Sequence, residues 1–339
     1  MVSGIFHSTY EKDMSLRTTH AQKIRLAILI ALLVVFPFLA NRYALTLANQ
    51  VGIAVIGAIG LNILVGYTGQ ISLGQGGFMA VGAYTAGILT ARMGVPWWAS
   101  TIVACFTTAL VGAVFGIPSL RLKGLYLAIA TLAAQVIILW VVTHWRALTG
   151  GVDALVVPDP TLFGVRINSD FNFYWVTWGL VIVVTLATVN LFRTHFGRAF
   201  IAIRDQDIAA SVMGVDLFRY KLLAFAVSSF LVGLAGALTA HYRSIVTWER
   251  FTLDVSVLYL AMIIIGGLGS VTGSYLGATF MTLLPVVLTN LGRVLKSSFP
   301  LIDSILPFIQ QAAFGLVIIL FLIFEPEGLN KMWKNVKDY

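Results

Sequence analysis

Nearly uncharged apolar runs of about 20 residues recur along this chain, and that is the length a helix needs to cross the hydrocarbon core of a bilayer. Residues 23–40 read KIRLAILIALLVVFPFLA, and residues 174–192 are equally apolar. Runs at 43–66, 70–92, 96–118, 123–143, 219–242, 254–268, 274–292 and 306–324 bring the predicted spans to ten. Only 11% of the 339 residues are charged, whereas an ordinary soluble domain is about 25% charged. The predicted fold class is an all-α polytopic membrane protein with about ten transmembrane helices. Its parts are a cytoplasmic tail 1–22, a transmembrane domain 23–324 with a cytoplasmic loop 193–218, and a cytoplasmic tail 325–339. Lys23 and Arg25 before the first run would suit a signal peptide, but FLANRYA holds no small-x-small cleavage site. That run is read as an uncleaved helix.

Charge sets the orientation. With the N-terminus inside, fourteen of the 22 Lys and Arg residues fall on cytoplasmic segments and eight on outer ones, the bias expected when both termini are cytoplasmic. The net charge of +8 is accounted for by basic loops beside anionic membrane lipid and requires no nucleic acid. The single Cys105 excludes an intrachain disulfide, and neither it nor the scattered histidines has metal-ligand or acid/base spacing. No cofactor is implied. All fourteen acidic residues lie in loops, tails or span ends, whereas gradient-driven carriers usually keep an ionisable group on the pathway. Sodium held by backbone carbonyls is the exception that leaves a secondary carrier open. A structural membrane subunit that moves nothing also stays open. The chain has no G-x-x-x-x-G-K-[ST] loop, so any ATP is bound and hydrolysed elsewhere and this chain is not an enzyme.

Two glycine-rich stretches interrupt the apolar pattern: GYTGQISLGQGGF at 66–78 and IIIGGLGSVTGSYLGA at 263–278. If the first is helical from residue 70, Ser72, Gly76, Ala80, Ala83 and Gly87 form one stripe of small residues. Ser229, Gly233, Gly236 and Ala240 form a second, and Gly266, Ser270, Gly273 and Gly277 a third. Such stripes let helix backbones approach closely in lipid. Gln75 sits off the first stripe, with Gln70 on the opposite side. Buried amides need partners, so each glutamine either ties helices together or lines a polar, uncharged path. Tyr67, Gln70, Ser72 and Gln75 are the pathway candidates. The glycines also weaken the helix, by about 1 kcal/mol each relative to alanine, so a kink or break is expected near such a path.

The inner connection RTHFGRAFIAIRDQDIAASVMGVDLFRYK, 193–221, contains a short amphipathic helix. Asp205 is its expected N-cap, Ile208 and Ala209 stack on Val212 and Met213 at i, i+4, and Gly214 ends it. Two turns are unstable alone, so the helix docks on this chain, on headgroups or on a partner.

GYTGQISLGQGGFMAVGAY, LTGGVDAL at 148–155, GRAFIAIRDQDIAASVMGVDLFRYK, AFAVSSFLVGLAGAL and MIIIGGLGSVTGSYLGA resemble, in order, stretches of the branched-chain amino-acid ABC transporter permeases. The resemblance runs from about residue 45 to Leu329. It implies a ten-helix permease of the cobalamin-importer type that translocates leucine, isoleucine and valine. It also implies a second homologous permease, two cytoplasmic ATPases and a periplasmic or extracellular substrate-binding protein as partners. The coupling helix maps onto Asp205 to Gly214, so Arg204, Asp205, Asp207, Ile208, Ala209, Val212, Met213 and Gly214 are the expected ATPase-coupling residues. Gly76, Ala80, Ala83, Gly87, Gly233, Gly236, Gly266 and Gly273 are expected to pack helices. Val152 and Ala154 depart from the family pattern of TGG followed by DGL, and the family also includes permeases for urea, short amides and other amino acids.

Overall fold

A computed structural model describes residues 20–119, 122, 124–162, 165–167, 169–295, 302–325 and 328–332. The predicted tails at 1–19 and 333–339, and the basic residues Arg121 and Lys123, lie outside the described residues. Two compact units divide the chain. Residues 1–46 include helix α1 (His20–Leu39), which carries Pro37 near its end, and the opening of α2 (Arg42–Thr68).

Residues 47–339 hold the rest of α2 and then α3 (Gln75–Met93), α4 (Trp97–Ser119), α5 (Leu125–His144) and the single turn α6 (Arg146–Thr149). Next come α7 (Asp170–Arg193), α8 (His195–Asp205), α9 (Asp207–Val212), α10 (Leu217–Arg243), α11 (Leu253–Gly266), α12 (Val271–Leu295) and α13 (Ile302–Phe324). Strand β1 (Leu155–Val156) pairs antiparallel with β4 (Ile245–Val246), which ties the long 145–169 connection to the end of α10. β2 (Thr161–Leu162) and β3 (Val165–Arg166) form a local hairpin.

Among the described residues, six helices are long and apolar enough to cross a membrane: α2, α4, α5, α7, α10 and α12. The chain is thus an all-α polytopic membrane protein. α2 is apolar all round, and such a helix belongs in the middle: Val55, Ile56, Ala58, Ile59, Leu61 and Ile63 are fully buried. α4, α5 and α7 instead turn Phe106, Leu110, Ile129, Trp140, Val183 and Leu186 outward, a surface suited to lipid. One predicted span is corrected at its start: the run 70–92 becomes helical only at Gln75. The run 254–268 forms α11, whose 14 residues extend about 21 Å at 1.5 Å per residue.

α10 packs on α3 and α4 through its glycines. A Cβ on Gly236 would collide with the Met79 carbonyl, one on Gly82 with the Gly233 carbonyl, and one on Gly233 would lie 2.5 Å from Thr108 Oγ1. Ala80, Ala83 and Ala86 are completely buried in the same seam. Gly76 lies under the Phe251 and Thr252 carbonyls, while Gly87 faces Leu155 and Val157 rather than a neighbouring helix. Gly266 and Gly273 bring α11 and α12 together backbone to backbone. Ser72, read as the head of the first stripe, lies outside α3 and is not part of it. Gly179 on α7, by contrast, has open space where a Cβ would go. Gly236→Val should therefore lower the detergent melting temperature and membrane abundance, because overpacking typically costs about 1–3 kcal/mol. Gly179→Ala should leave both unchanged or raised, by up to about 1 kcal/mol of helix propensity. Equal behaviour of the two variants would remove the seam from the account.

Candidate functional site

The polar stretch after α2 is a true helix break. Gly69 takes φ +69°, the left-handed region that a side chain disfavours, and residues 69–74 are not helical. Irregular backbone at such a place must be satisfied inside the protein. Leu73 N donates to Thr131 Oγ1 at 2.9 Å, Gly74 N to Ser72 Oγ at 3.3 Å, and Gly76 N to Ser256 Oγ at 2.8 Å. The Ser256 hydroxyl donates in turn to Gln135 Oε1 at 2.5 Å, and Gln135 Nε2 reaches the Phe251 carbonyl at 3.4 Å.

Gln75 opens α3, is buried, and donates to the Gly57 carbonyl of α2 at 3.1 Å. Gln70 is also buried. Its Nε2 donates to Thr68 Oγ1 at 3.0 Å and to the Lys221 carbonyl at 3.4 Å, while its Oε1 is buried without a protein partner. Ser72 is buried, and half-buried Tyr67 stacks on Phe192 at 3.6 Å between ring centroids. The helical-wheel relation between Gln70 and Gln75 is therefore corrected, because a break separates them.

The second glycine-rich stretch breaks as well. α11 ends at Gly266, Gly267 and Gly269 take φ +113° and +70°, and α12 starts at Val271. This break meets the last turn of α2: a Cβ on Gly66 would collide with Gly269 N, and one on Gly269 would stand 3.0 Å from the Gly66 carbonyl oxygen. Asn62, buried on α2, accepts from Gly269 N at 2.9 Å and donates to the Ser270 carbonyl at 2.9 Å and to Ser274 Oγ at 2.8 Å. Gly328, in the C-terminal segment 328–332, packs its backbone on Gly267.

The inner loop lies against the same junction. α8 buries Gly197, Ala199, Phe200 and Ile203, and from its end Arg204 Nη1 donates to the Gly66 carbonyl at 3.2 Å. Asp205 is not an N-cap. It is the last residue of α8 and pairs with Arg204 at 2.9 Å, while Gln206 occupies the cap position of α9 without a side-chain bond. α9 buries only Ala210 and turns Ile208, Val212 and Met213 outward, at 66%, 81% and 84% exposure. Ala209 is exposed with them, and Gly214 at φ +88° ends the helix. Asp207 pairs with Lys221 at 3.5 Å. A cleft of about 320 Å³ lies beside this turn and the first break, lined by Gly69, Gln70, Leu127, Arg204, Asp207 and Lys221 among others.

Sequence reasoning missed Asn62, Gln135, Thr131 and Ser256. The available signal was a lone amide inside an apolar run, GLNILV and LAAQVII, because a buried amide is retained where it has bonds to make. On the opposite side of the sequence-derived topology, LTGG closes the single turn α6 with Gly150 and Gly151 at φ +88° and +73°. Thr149 Oγ1 donates there to the Val142 carbonyl at 2.6 Å. Asp153 and Asp159 are exposed on the connection that follows.

Residues 43–324 match the family model described as branched-chain amino acid transport system / permease component. The LivM permease protein of a high-affinity branched-chain amino acid transport system from Salmonella typhimurium is 32% identical, over 93% of this chain and 76% of its own length. A probable branched-chain amino acid transport permease protein, LivH, of Methanocaldococcus jannaschii is 26% identical over 84% of this chain and 90% of its own. The autoinducer 2 import system permease protein LsrC of Escherichia coli is 27% identical over 80% of each. No solved structure matches. An all-α membrane fold, two helix breaks pinned together beneath an amphipathic inner helix, and a family match over most of the length agree, and the chain belongs to the branched-chain amino acid transport permease family.

Proposed function

We propose that this chain is a membrane subunit of an ATP-driven importer in a bacterial inner membrane, translocating leucine, isoleucine and valine. The observation that carries the reading is α9: a two-turn helix whose large apolar side chains all face away from the chain, beside a domain with no nucleotide loop of its own. That face is a ready anchor for a cytoplasmic ATPase, one for this chain and one for a second, homologous permease. The likeness to both LivM and LivH proteins supports such a pair. In this reading the ten helices α1–α5, α7 and α10–α13 are the spans, as in the cobalamin-importer type, with both termini cytoplasmic.

The external binding protein docks on the 145–169 connection, where Asp153 and Asp159 are exposed. Tyr67, Gln70, Ser72 and Gln75 border the route. Gln70 has the spare acceptor that an uncharged path for a zwitterion uses, while Gln75 holds α3 to α2.

Full burial of an Ile or Met side chain contributes about 1.5–3 kcal/mol, so three such anchors suffice to dock a subunit. Ile208→Asp should insert normally but release the ATPase subunits or leave them hydrolysing without leucine uptake in proteoliposomes. Normal uptake with normal ATPase retention would show that α9 is a spectator. Asp159→Cys should react with an impermeant thiol reagent in intact spheroplasts, and labelling seen only after lysis would invert the orientation.

A further inference from the structure

A docking helix is useful only if its displacement reaches the membrane helices, and the contacts that connect it inward are few. α9 itself buries one alanine and pairs Asp207 with Lys221 of α10 at 3.5 Å. The turn joining it to α8 borders a cleft of about 320 Å³. Beside that cleft Arg204 makes a directed contact. Its Nε and Nη2 are held by Asp205 Oδ1 at 3.0 and 2.9 Å, which fixes the guanidinium plane. Nη1 then donates to the Gly66 carbonyl, 138 residues earlier in the chain. The same Nη1 stands 2.8 Å from where a Cβ of Gly269 would be, and Arg204 Cγ 3.5 Å from where one of Gly69 would be, so one side chain borders both breaks.

One turn before Gly66 on α2, the Asn62 amide takes up the peptide groups that the interruption of α11–α12 leaves outside any helix: Gly269 N–H, the Ser270 carbonyl and, with them, the Ser274 hydroxyl. The first break is tied to the same turn through Gln70 N, which donates to the Leu64 carbonyl at 3.1 Å, so both breaks rest on residues 62–66 of α2, and the 193–216 connection grips that turn through a charge-assisted bond from Arg204.

We propose that Arg204 and Asn62 are positioning residues that form a latch, Arg204 joining the α8–α9 turn to Gly66 and Asn62 joining α2 to the second break, so that displacement of α9 moves both interrupted helices together. The inference rests on the reading of α9 as the ATPase dock and names the route inward from it.

The test uses the complete importer in proteoliposomes, with its ATPase subunits and binding protein, and reads complex composition, ATP hydrolysis and leucine uptake. Arg204→Gln removes the charge and shortens the reach. Asn62→Asp keeps the acceptor for Gly269 N–H and loses both donors. Each variant should retain the ATPase subunits and continue to hydrolyse ATP, while uptake per ATP falls by about tenfold, within the range that coupling residues control. The double variant should be no worse than the more severe single, because both act on one chain of contacts. Arg204→Lys, which keeps the charge but cannot span Gly66 and Asp205 together, should fall between.

Wild-type uptake per ATP in Arg204→Gln overturns the latch. So does loss of ATPase subunits from it, which would place Arg204 in the docking surface. If Asn62→Asp does not accumulate, the Arg204→Gln and Arg204→Lys pair decides alone. Normal uptake by Ile208→Asp would remove the docking reading itself, whereas a defective Ile208→Asp beside a fully coupled Arg204→Gln removes only the latch.

Discussion

Everything in this fold turns on the absence of water from the bilayer interior. An unpaired backbone amide or carbonyl buried away from water costs several kcal/mol, so where the chain passes from one membrane helix to the next inside its own packing, its side chains must supply the missing partners. Asn62 and Thr131 do this through short bonds to backbone N–H groups outside any helix, and Ser256 through one to Gly76 N in the first turn of α3, which has no intrahelical acceptor. The arrangement needs a helix that is surrounded by protein on every side, and α2 is that helix. Its apolar circumference places it at the centre, and the two polar residues near its inner end, Asn62 and Thr68, are consequently buried and bonded.

Close approach is the second requirement. Lipid tails are as apolar as leucine, so helices gain little from hiding apolar surface and associate through packing and polar contacts instead. Glycine allows backbones to touch, and the contacts between α3 and α10 and between α11 and α12 are of this kind. Gly66 and Gly269 extend the same device from helix packing to the junction of the breaks. Seam and junction are both close-packed: the seam joins α3, α4 and α10, and the junction joins the end of α2 to the α11–α12 connection through Gly66, Gly269 and the Asn62 bonds.

The inner loop shows why short helices in such proteins are informative. α8 has the amphipathic pattern of a helix lying on the chain's own surface, and it buries one face there. α9 reverses this, with its large side chains outward and only an alanine inward. No local propensity explains an exposed Ile, Val and Met on so short a helix. The apolar face makes sense as half of an interface.

Much of the fold was legible in the sequence because lipid imposes a coarse rule: about 20 apolar residues without charge read as a membrane helix, and α2, α4, α5, α7, α10 and α12 follow it. The amphipathic inner loop and the family motifs were legible too, since periodicity and ordered short stretches are local properties. Local reading could not decide where the helices stop. Gly69 and Gly74 suggested a weakened helix, yet the break from residue 69 to 74 depends on Thr131 and Ser256, 58 and 180 residues from the groups they bind. Asp205 had the composition of an N-cap, but its carboxylate is taken by the Arg204 guanidinium that the Gly66 carbonyl holds in place. The meeting of the two glycine-rich stretches at Gly66 and Gly269, with Asn62 pinning them, is a property of packing alone. Helix formation is decided within a turn by the residues themselves, whereas the partner of a freed peptide group is decided by which distant helix the fold brings beside it.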